Sequence, residues 1–310
     1  MRCIVTGGAG FIGSHLADAL IERGYKVLII DDLSTGKEEN INKKAEFEKI
    51  KIEDEKIFDI FKKFKPDAVF HFAAQIDVRK SVKDPLFDTK VNVLGTVNLL
   101  KASADCKVKS FIFASSGGVI YGDVFEPAKE NHPVNPQCPY GIAKLSGEYY
   151  VKFFGKEYSF KWGILRFANV YGPRQDPKGE AGVCAIFIGN MMKKRPCKLY
   201  GYGKLVRDYI YVEDAVSLTL QVFDKGVCDI FNAGTGKGTS VIELFNILKE
   251  FFDYNLEPIL EEKRPGELES NILSYEKAKI LLNWEPKYSL KEGLKKTIEW
   301  FKNKVDIFEK

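Results

Sequence analysis

Arg2-Cys3-Ile4-Val5-Thr6-Gly7-Gly8-Ala9-Gly10-Phe11-Ile12-Gly13 follows the first methionine, and it reads as strand, glycine turn and helix start. Residues 3–6 are short and apolar, as a buried strand requires, and residues 14–23 carry the period of a helix packed on one face. Gly7 and Gly10 allow a backbone approach that a side chain would block, and Gly13 lets the helix lie close to the sheet. The helix N-terminus then directs unpaired N–H groups at an anion. The next strand, residues 26–30, ends in Asp31-Asp32, at the distance where a carboxylate meets adenosine ribose hydroxyls. Strand, glycines and carboxylate together indicate a dinucleotide. The carboxylates repel a 2′-phosphate, which favours NAD over NADP, and Lys37 nearby reduces that repulsion.

Strand-like runs recur at residues 3–6, 27–30, 68–72, 111–114 and 163–167, with helical patterns at 57–64 and 88–104 between them. That alternation predicts an α/β chain with a Rossmann-type doubly wound parallel sheet. Such sheets bind ligands beyond the carboxyl ends of their strands, where residues 7–13, 31–36, 73–80, 115–122 and 168–173 fall. After Pro173 the chain turns to Gly/Pro-rich loops at 175–182, 196–203 and 234–238, a strand at 209–212, and helices at 241–252 and 290–302. The expected division is a nucleotide-binding domain over 1–173 with a returning segment near 209–233. A smaller C-terminal α/β substrate-binding lobe would take 174–208 and 234–310. The helical stretches 88–104 and 140–156 are also a candidate homodimer surface.

With 310 residues, 45% of them hydrophobic, the chain can bury a large core. Its net charge of +4 is small, and no basic block is interleaved with aromatic residues, which argues against a nucleic-acid partner. The six cysteines are scattered without a Cys-x-x-Cys pair and the three histidines do not cluster, so no metal site is expected. The first strand begins at once, leaving no room for a signal peptide, and no apolar run reaches membrane-span length. The expectation is a cytoplasmic protein with no membrane partner.

Tyr140 and Lys144, downstream of Ser115-Ser116, have the four-residue spacing that stacks two side chains on one helix face. A free phenol, with a pKa of about 10, is a poor base near neutrality. A fixed ammonium and a positively charged nicotinamide could lower it by roughly two to three units, which requires about 3 to 4 kcal/mol. Ser116 could then share the proton. His15, His71 and His132 have no carboxylate partner visible in the sequence and are read as packing or surface residues.

These motifs resemble the extended short-chain dehydrogenase/reductase family over essentially the whole chain, most closely its UDP-glucose 4-epimerase branch. Thr6 to Gly13 look like that family's NAD loop, His71-Phe72-Ala73-Ala74 like the stretch beside the cofactor, and Asn92-Val93-Leu94-Gly95-Thr96 like its helix motif. Ser115-Ser116-Gly117-Gly118-Val119-Ile120-Tyr121-Gly122 resembles the catalytic hydroxyl segment, with Ser116 the matching hydroxyl, and Tyr140 and Lys144 match the catalytic pair. The resemblance implies cofactor contacts from Gly7, Gly10, Phe11, Ile12 and Gly13, from Asp31, Asp32, Ser34, Thr35 and Gly36, and from Ile52, Phe72, Ala73, Ala74, Gln75 and Asn92. Tyr140, Lys144 and Phe167 would approach the nicotinamide. It further implies a UDP-sugar held by Ser116 and Asn169, with Val183 and Tyr200 near the uracil. Arg207 and Arg264 would clamp the diphosphate, Glu267 would hold a ribose and Asn271 would stand beside the hexose. Arginine's planar fork suits a diphosphate better than lysine does.

The implied reaction is interconversion of UDP-galactose and UDP-glucose by transient NAD-dependent oxidation at C4, extending to UDP-N-acetylhexosamines through the middling size of Asn271. Related dehydratases and decarboxylases place an acid just after the active hydroxyl, where this chain has Gly117-Gly118. Two alternatives stay open: an epimerase for UDP-uronic acids, and a non-enzymatic NAD-sensing regulator. One position departs from the pattern. Lys51 stands where many relatives carry an aspartate that holds adenine, and a lysine offers no acceptor to the adenine amino group. Lys51→Asp is therefore expected to slow NAD release on dilution, and an unchanged release rate would count against that role.

Overall fold

The computed structural model describes residues 1–178, 182–264 and 266–304. Its strands in chain order are β1 (Arg2–Thr6), β2 (Lys26–Asp31), β3 (Glu46–Lys49), β4 (Ala68–His71), β5 (Ser110–Ser116), β6 (Lys161–Phe167), β7 (Asn169–Tyr171), β8 (Lys198–Leu199), β9 (Val206–Tyr211), β10 (Asp229–Ala233), β11 (Gly238–Ser240), β12 (Ile259–Leu260) and β13 (Ser270–Asn271). The chain divides into two compact units. One comprises Met1–Ile120, Val134–Arg166 and Val216–Phe231, and the other Tyr121–Pro133, Phe167–Ala215 and the residues from Asn232 onward.

The first unit is built on a seven-stranded sheet in the order β10-β6-β5-β4-β1-β2-β3. β1 pairs in parallel with both β2 and β4, so the strand order reverses beside it, and that is where doubly wound sheets open a ligand crevice. Alternate residues along each strand face opposite layers. Ile4, Leu28 and Val69 join Phe61, Leu99, Phe113, Val151 and Phe154 in one core beneath helices Ile57–Phe64, Gly95–Asp105 and Pro139–Glu157. Phe70, next to Val69, points the other way and meets Phe223 at 5.0 Å between ring centroids. Each such buried ring contributes roughly 1.5–3 kcal/mol.

Two elements of the first unit differ from the sequence expectation. β3 is a charged Glu-Phe-Glu-Lys edge strand paired with β2, too polar to register as an apolar run, and its charges keep the open edge from pairing elsewhere. The stretch expected as one helix over 88–104 is Pro85–Thr89, a π-turn over Lys90–Leu94, and then Gly95–Asp105. Sequence periodicity cannot reveal one extra residue in a turn, and π-turns gather at functional positions.

Helix Pro139–Glu157 lies tightly on β5. A Cβ at Gly147 would come within 2.6 Å of the Phe113 ring. One turn beyond Lys144, Glu148 is wholly buried and forms a bidentate pair with Arg166 of β6, Nε to Oε1 at 2.8 Å and Nη2 to Oε2 at 2.6 Å. Ser115 of β5 donates to the same Oε1 at 2.6 Å. Three donors thus stabilise one dry carboxylate, and the helix is tied to two strands at once.

In the second unit β9 is central, pairing antiparallel with β11 and parallel with β7 and β13. Helices Val241–Lys249 and Leu290–Lys302 both begin with complete capping boxes, Ser240 with Glu243 and Ser289 with Glu292. The first ends at Lys249, one turn short of the stretch expected from periodicity.

Glu148→Ala would leave Arg166 buried without its counter-charge. It should destabilise the protein by about 3–5 kcal/mol. Urea unfolding measures this, and a loss below about 1 kcal/mol would contradict the assigned burial.

Candidate active site

The glycine turn leaves β1 toward the carboxyl edge of the sheet. Gly7 has φ +72°, and a Cβ there would strike the Phe72 and Ala73 backbone at 2.6–2.8 Å; a Cβ at Gly13 would collide with the Gly7 carbonyl. Gly10 starts helix Phe11–Glu22 with no side-chain cap, so the first N–H groups keep their capacity for an anion. Asp31 is buried at the end of β2 and accepts from Ala9 N at 3.0 Å on Oδ2 and from Leu33 N at 2.9 Å on Oδ1. Each oxygen retains a lone pair for a ribose hydroxyl. Burial raises the proton affinity of Asp31 first, and the Leu33 and Ala9 N–H bonds oppose that. Asp32 accepts from Ser34 N at 2.9 Å, shaping the turn that holds Thr35 and Gly36. Ile52 is buried against Gly95, where a Cβ would come within 2.7 Å of it. This cradle fits a dinucleotide: glycines where the backbone must come close, free N–H groups at a helix end, and a carboxylate beside them.

Beside the cradle, Ala73 N donates to Thr6 Oγ1 at 3.2 Å, and Thr6 Oγ1 lies 2.8 Å from His71 Nδ1. On the other side, His71 Nε2 lies 2.9 Å from Thr96 Oγ1, which donates to the Asn92 carbonyl at 2.7 Å. Each hydroxyl has one proton, so the pattern assigns a neutral imidazole with its hydrogen on Nε2. Burial first, and then the charge of Lys144, depress His71 well below its ordinary range. The Asn92 amide pairs with the Gln75 backbone, accepting from Gln75 N and donating to Gln75 O, both at 2.9 Å. Phe72 and Ala74 lie in the same loop.

Lys144 is buried and donates to the Ala114 carbonyl at 2.9 Å. Its ammonium lies 5.0 Å from the Phe113 ring centroid and 5.8 Å from that of Tyr140. Burial lowers its pKa to about 8, and Asp88 opposes that fall. The acidified phenol was expected from lysine and nicotinamide together, and in the chain alone Tyr140 is not acidified. Burial drives its pKa up, and the charges of Asp88 and Cys138 push the same way. Ser116 is half-buried at the end of β5, whereas Ser115 is buried and committed to Glu148.

The remaining residues lie in the second unit. Phe167 is buried at the end of β6, Asn169 begins β7 and Val183 begins helix Val183–Met192. Arg207 and Asn271 are register partners on β9 and β13. Arg207 donates at 2.8 Å to the carbonyls of Val206 and of Leu268 and, among the described residues, makes no ion pair. Its neighbour Asp208 is fully buried and takes N–H donors from Thr235, Gly236 and Leu273. The Arg264 guanidinium stacks 3.5 Å from the Tyr200 ring centroid, and Glu267 accepts from Arg264 N at 3.3 Å. Pro265 of that motif, and residues 179–181 of the loop expected at 175–182, lie outside the described residues.

Sequence reading missed Asp88 and Glu148, and named Thr6 and Thr96 only as members of motifs, without the bonds they make to His71. The steps of four from Asp88 to Asn92 to Thr96, and from Lys144 to Glu148, were a detectable signal.

Residues 3–234 match the model of the NAD dependent epimerase/dehydratase family. The chain is 42% identical to a UDP-glucose 4-epimerase of Mycolicibacterium smegmatis, with 98% of this chain and 99% of the relative covered. The structure of a Thermotoga maritima UDP-glucose 4-epimerase with UDP-glucose superposes with a TM-score of 0.97 at 50% identity, covering 98% of this chain and all of that one. A Thermus thermophilus UDP-glucose 4-epimerase in complex with NAD gives 0.92 at 41% identity, with 97% and 99% covered. With the dinucleotide cradle and the Tyr140–Lys144 pair both present, the chain belongs to the NAD-dependent epimerase/dehydratase family.

Proposed function

We propose that the protein is a UDP-glucose 4-epimerase, interconverting UDP-galactose and UDP-glucose. The observation that carries this reading is a buried Lys144 one turn from a half-buried Tyr140 on one helix, preceded by glycines at 117 and 118 where an acid would promote dehydration. When bound, NAD supplies a reversible two-electron acceptor for the sugar C4. Tyr140 takes the 4-hydroxyl proton, and Ser116 hydrogen-bonds the same oxygen and shares that proton. Lys144 contributes the fixed positive charge that favours phenolate. The 4-keto sugar turns about its diphosphate and presents the opposite face of C4 to the hydride that the bound, reduced cofactor would give back, while Tyr140 returns the proton to O4, so no second substrate is consumed. The NAD-sensing alternative gives no reason to bury an ammonium beside a phenol.

Substrate affinity would reside mainly in the UDP anchors, leaving the hexose free to turn. Arg207 supports this, since its half-buried guanidinium donates to two carbonyls and feels the Glu267 and Asp123 carboxylates only beyond ion-pair distance, leaving it able to meet a diphosphate. Arg264 and Tyr200 offer a flat platform near the uracil, with Val183 beside it, Glu267 for the ribose, Asn169 for the diphosphate and Phe167 toward the nicotinamide. Asn271 would admit N-acetylhexosamines beside the hexose.

The same reading makes the protein a homodimer. Leu86, Leu94, Ile142, Tyr149 and Phe153 expose 83%, 54%, 54%, 61% and 59% of their surface on neighbouring helices of the first unit, an unusual concentration for a surface left in water. All six cysteines are free thiols, which suits the cytoplasm. Among the described residues no helix is long and apolar enough to cross a membrane.

Incubating the NAD-loaded protein with UDP-galactose and no reductant should yield UDP-glucose with no net change in nicotinamide, and UDP-N-acetylgalactosamine should also be converted. Tyr140→Phe should slow this by roughly 10²–10⁴-fold. The Lys144 ammonium is present below its pKa of about 8 and lost above it, so the rate should fall as pH rises through that value. No sugar interconversion, or full speed in Tyr140→Phe, would overturn the reading. Phe153→Glu should convert a dimer into monomers in sedimentation equilibrium, and an unchanged mass would remove that face from the interface.

A further inference from the structure

We propose that Asp88 is a positioning residue of the reaction: its buried carboxylate is the counter-charge of the Lys144 ammonium and, through Asn92 and Gln75, holds the loop after β4. The proposal rests on the epimerase reading for its kinetic consequence and on geometry for its electrostatic one.

Asp88 is fully buried on helix Pro85–Thr89, which packs against the helix that carries Tyr140 and Lys144. Its Oδ1 accepts from Gln75 Nε2 and from Asn92 Nδ2, both at 2.9 Å, while its Oδ2 has no hydrogen-bond partner. A protonated Asp88 would carry its hydrogen either on Oδ2, a buried donor without an acceptor, or on Oδ1, which already faces two N–H donors. The ionised form avoids both and is compensated by a cation nearby. Lys144 is that cation: burial pushes the Asp88 pKa up, the Gln75 and Asn92 bonds and then the Lys144 charge oppose that rise, the carboxylate in turn favours the ammonium, and the same charge acts on Tyr140 and Cys138.

The other groups around Lys144 are already committed or neutral. On its own helix, Glu148 is taken up by Arg166 and Ser115, and Tyr140 is a protonated phenol. β5 offers the Ala114 carbonyl and the Phe113 ring, β4 offers neutral His71, and Cys138 precedes the helix as a protonated thiol. Asp88 alone supplies an uncommitted negative charge among these groups. The π-turn over Lys90–Leu94 lies between Asp88 and Thr96, and within it Asn92 pairs with the Gln75 backbone and accepts from Thr96, so carboxylate and cofactor loop form one connected network.

Asp88→Asn separates charge from hydrogen bonding, because the amide oxygen still accepts from Gln75 and Asn92. Two readouts decide. The ε-carbon of Lys144, followed by nuclear magnetic resonance in protein carrying labelled lysine and assigned with Lys144→Arg, should titrate near 8 in the parent and about one unit lower in Asp88→Asn. In UDP-galactose turnover both limbs of the pH profile should move about one unit toward acid, with kcat at pH 8 reduced about fivefold and KM unchanged. The resonance titration needs no turnover, so an inactive parent would refute the epimerase reading while leaving Asp88 tested. Limbs and titration at their parental positions in Asp88→Asn would overturn the proposal, whatever the rate. If that variant does not fold, Asp88→Glu decides: a Lys144 midpoint at the parental value supports a charge role, and a midpoint lowered as for a lost charge refutes it.

Discussion

Helix Pro139–Glu157 can present Tyr140 and Lys144 to a common ligand only if its rotation about its own axis is fixed, and the buried pair between Glu148 and Arg166 fixes it. Glu148 is one turn from Lys144 and two from Tyr140, so a carboxylate locked to β6 and to Ser115 of β5 sets the direction in which all three side chains point. Gly147, pressed on the Phe113 ring, permits the approach that lets Lys144 reach the Ala114 carbonyl. A buried ion pair adds little net stability compared with an apolar packing of the same volume, but it has strict geometry. Here geometry is what the chemistry needs.

The electrostatics are less obliging than the spacing implies. Burial makes the phenol a weaker acid and the ammonium a weaker base, so both reactive groups drift toward neutrality as the site dries. Asp88 holds Lys144 charged but also works against phenolate. The chain by itself therefore keeps Tyr140 protonated. Oxidised NAD carries the positive charge that would reverse this, which links the readiness of the base to the presence of the oxidant.

The parallel sheet, the glycine turn and the Tyr140–Lys144 pair were legible because each is local: a period of two or 3.6, four glycines in a row of seven, a step of four. Their setting was not. β3 is legible only through its pairing with β2, since its own residues are charged. Glu148 and Arg166 are 18 residues apart and Gln75 and Asn92 are 17 apart, and neither separation carries a signal in one sequence. The upward shift of Tyr140 in the chain alone was not legible for the same reason: spacing revealed the lysine but not the desolvation, nor the aspartate from another helix. Arg207 and Asn271 meet only through strand register.

The dependence of the base on its cofactor can be observed directly. Ultraviolet difference titration of tyrosinate, taken as wild type minus Tyr140→Phe, isolates this phenol from the other tyrosines, with and without NAD. Without NAD the Tyr140 midpoint should lie above that of a free phenol, and saturating NAD should lower it by about two units. An identical midpoint with and without NAD, or a phenolate already formed near neutrality in the cofactor-free protein, would contradict this coupling of base to oxidant.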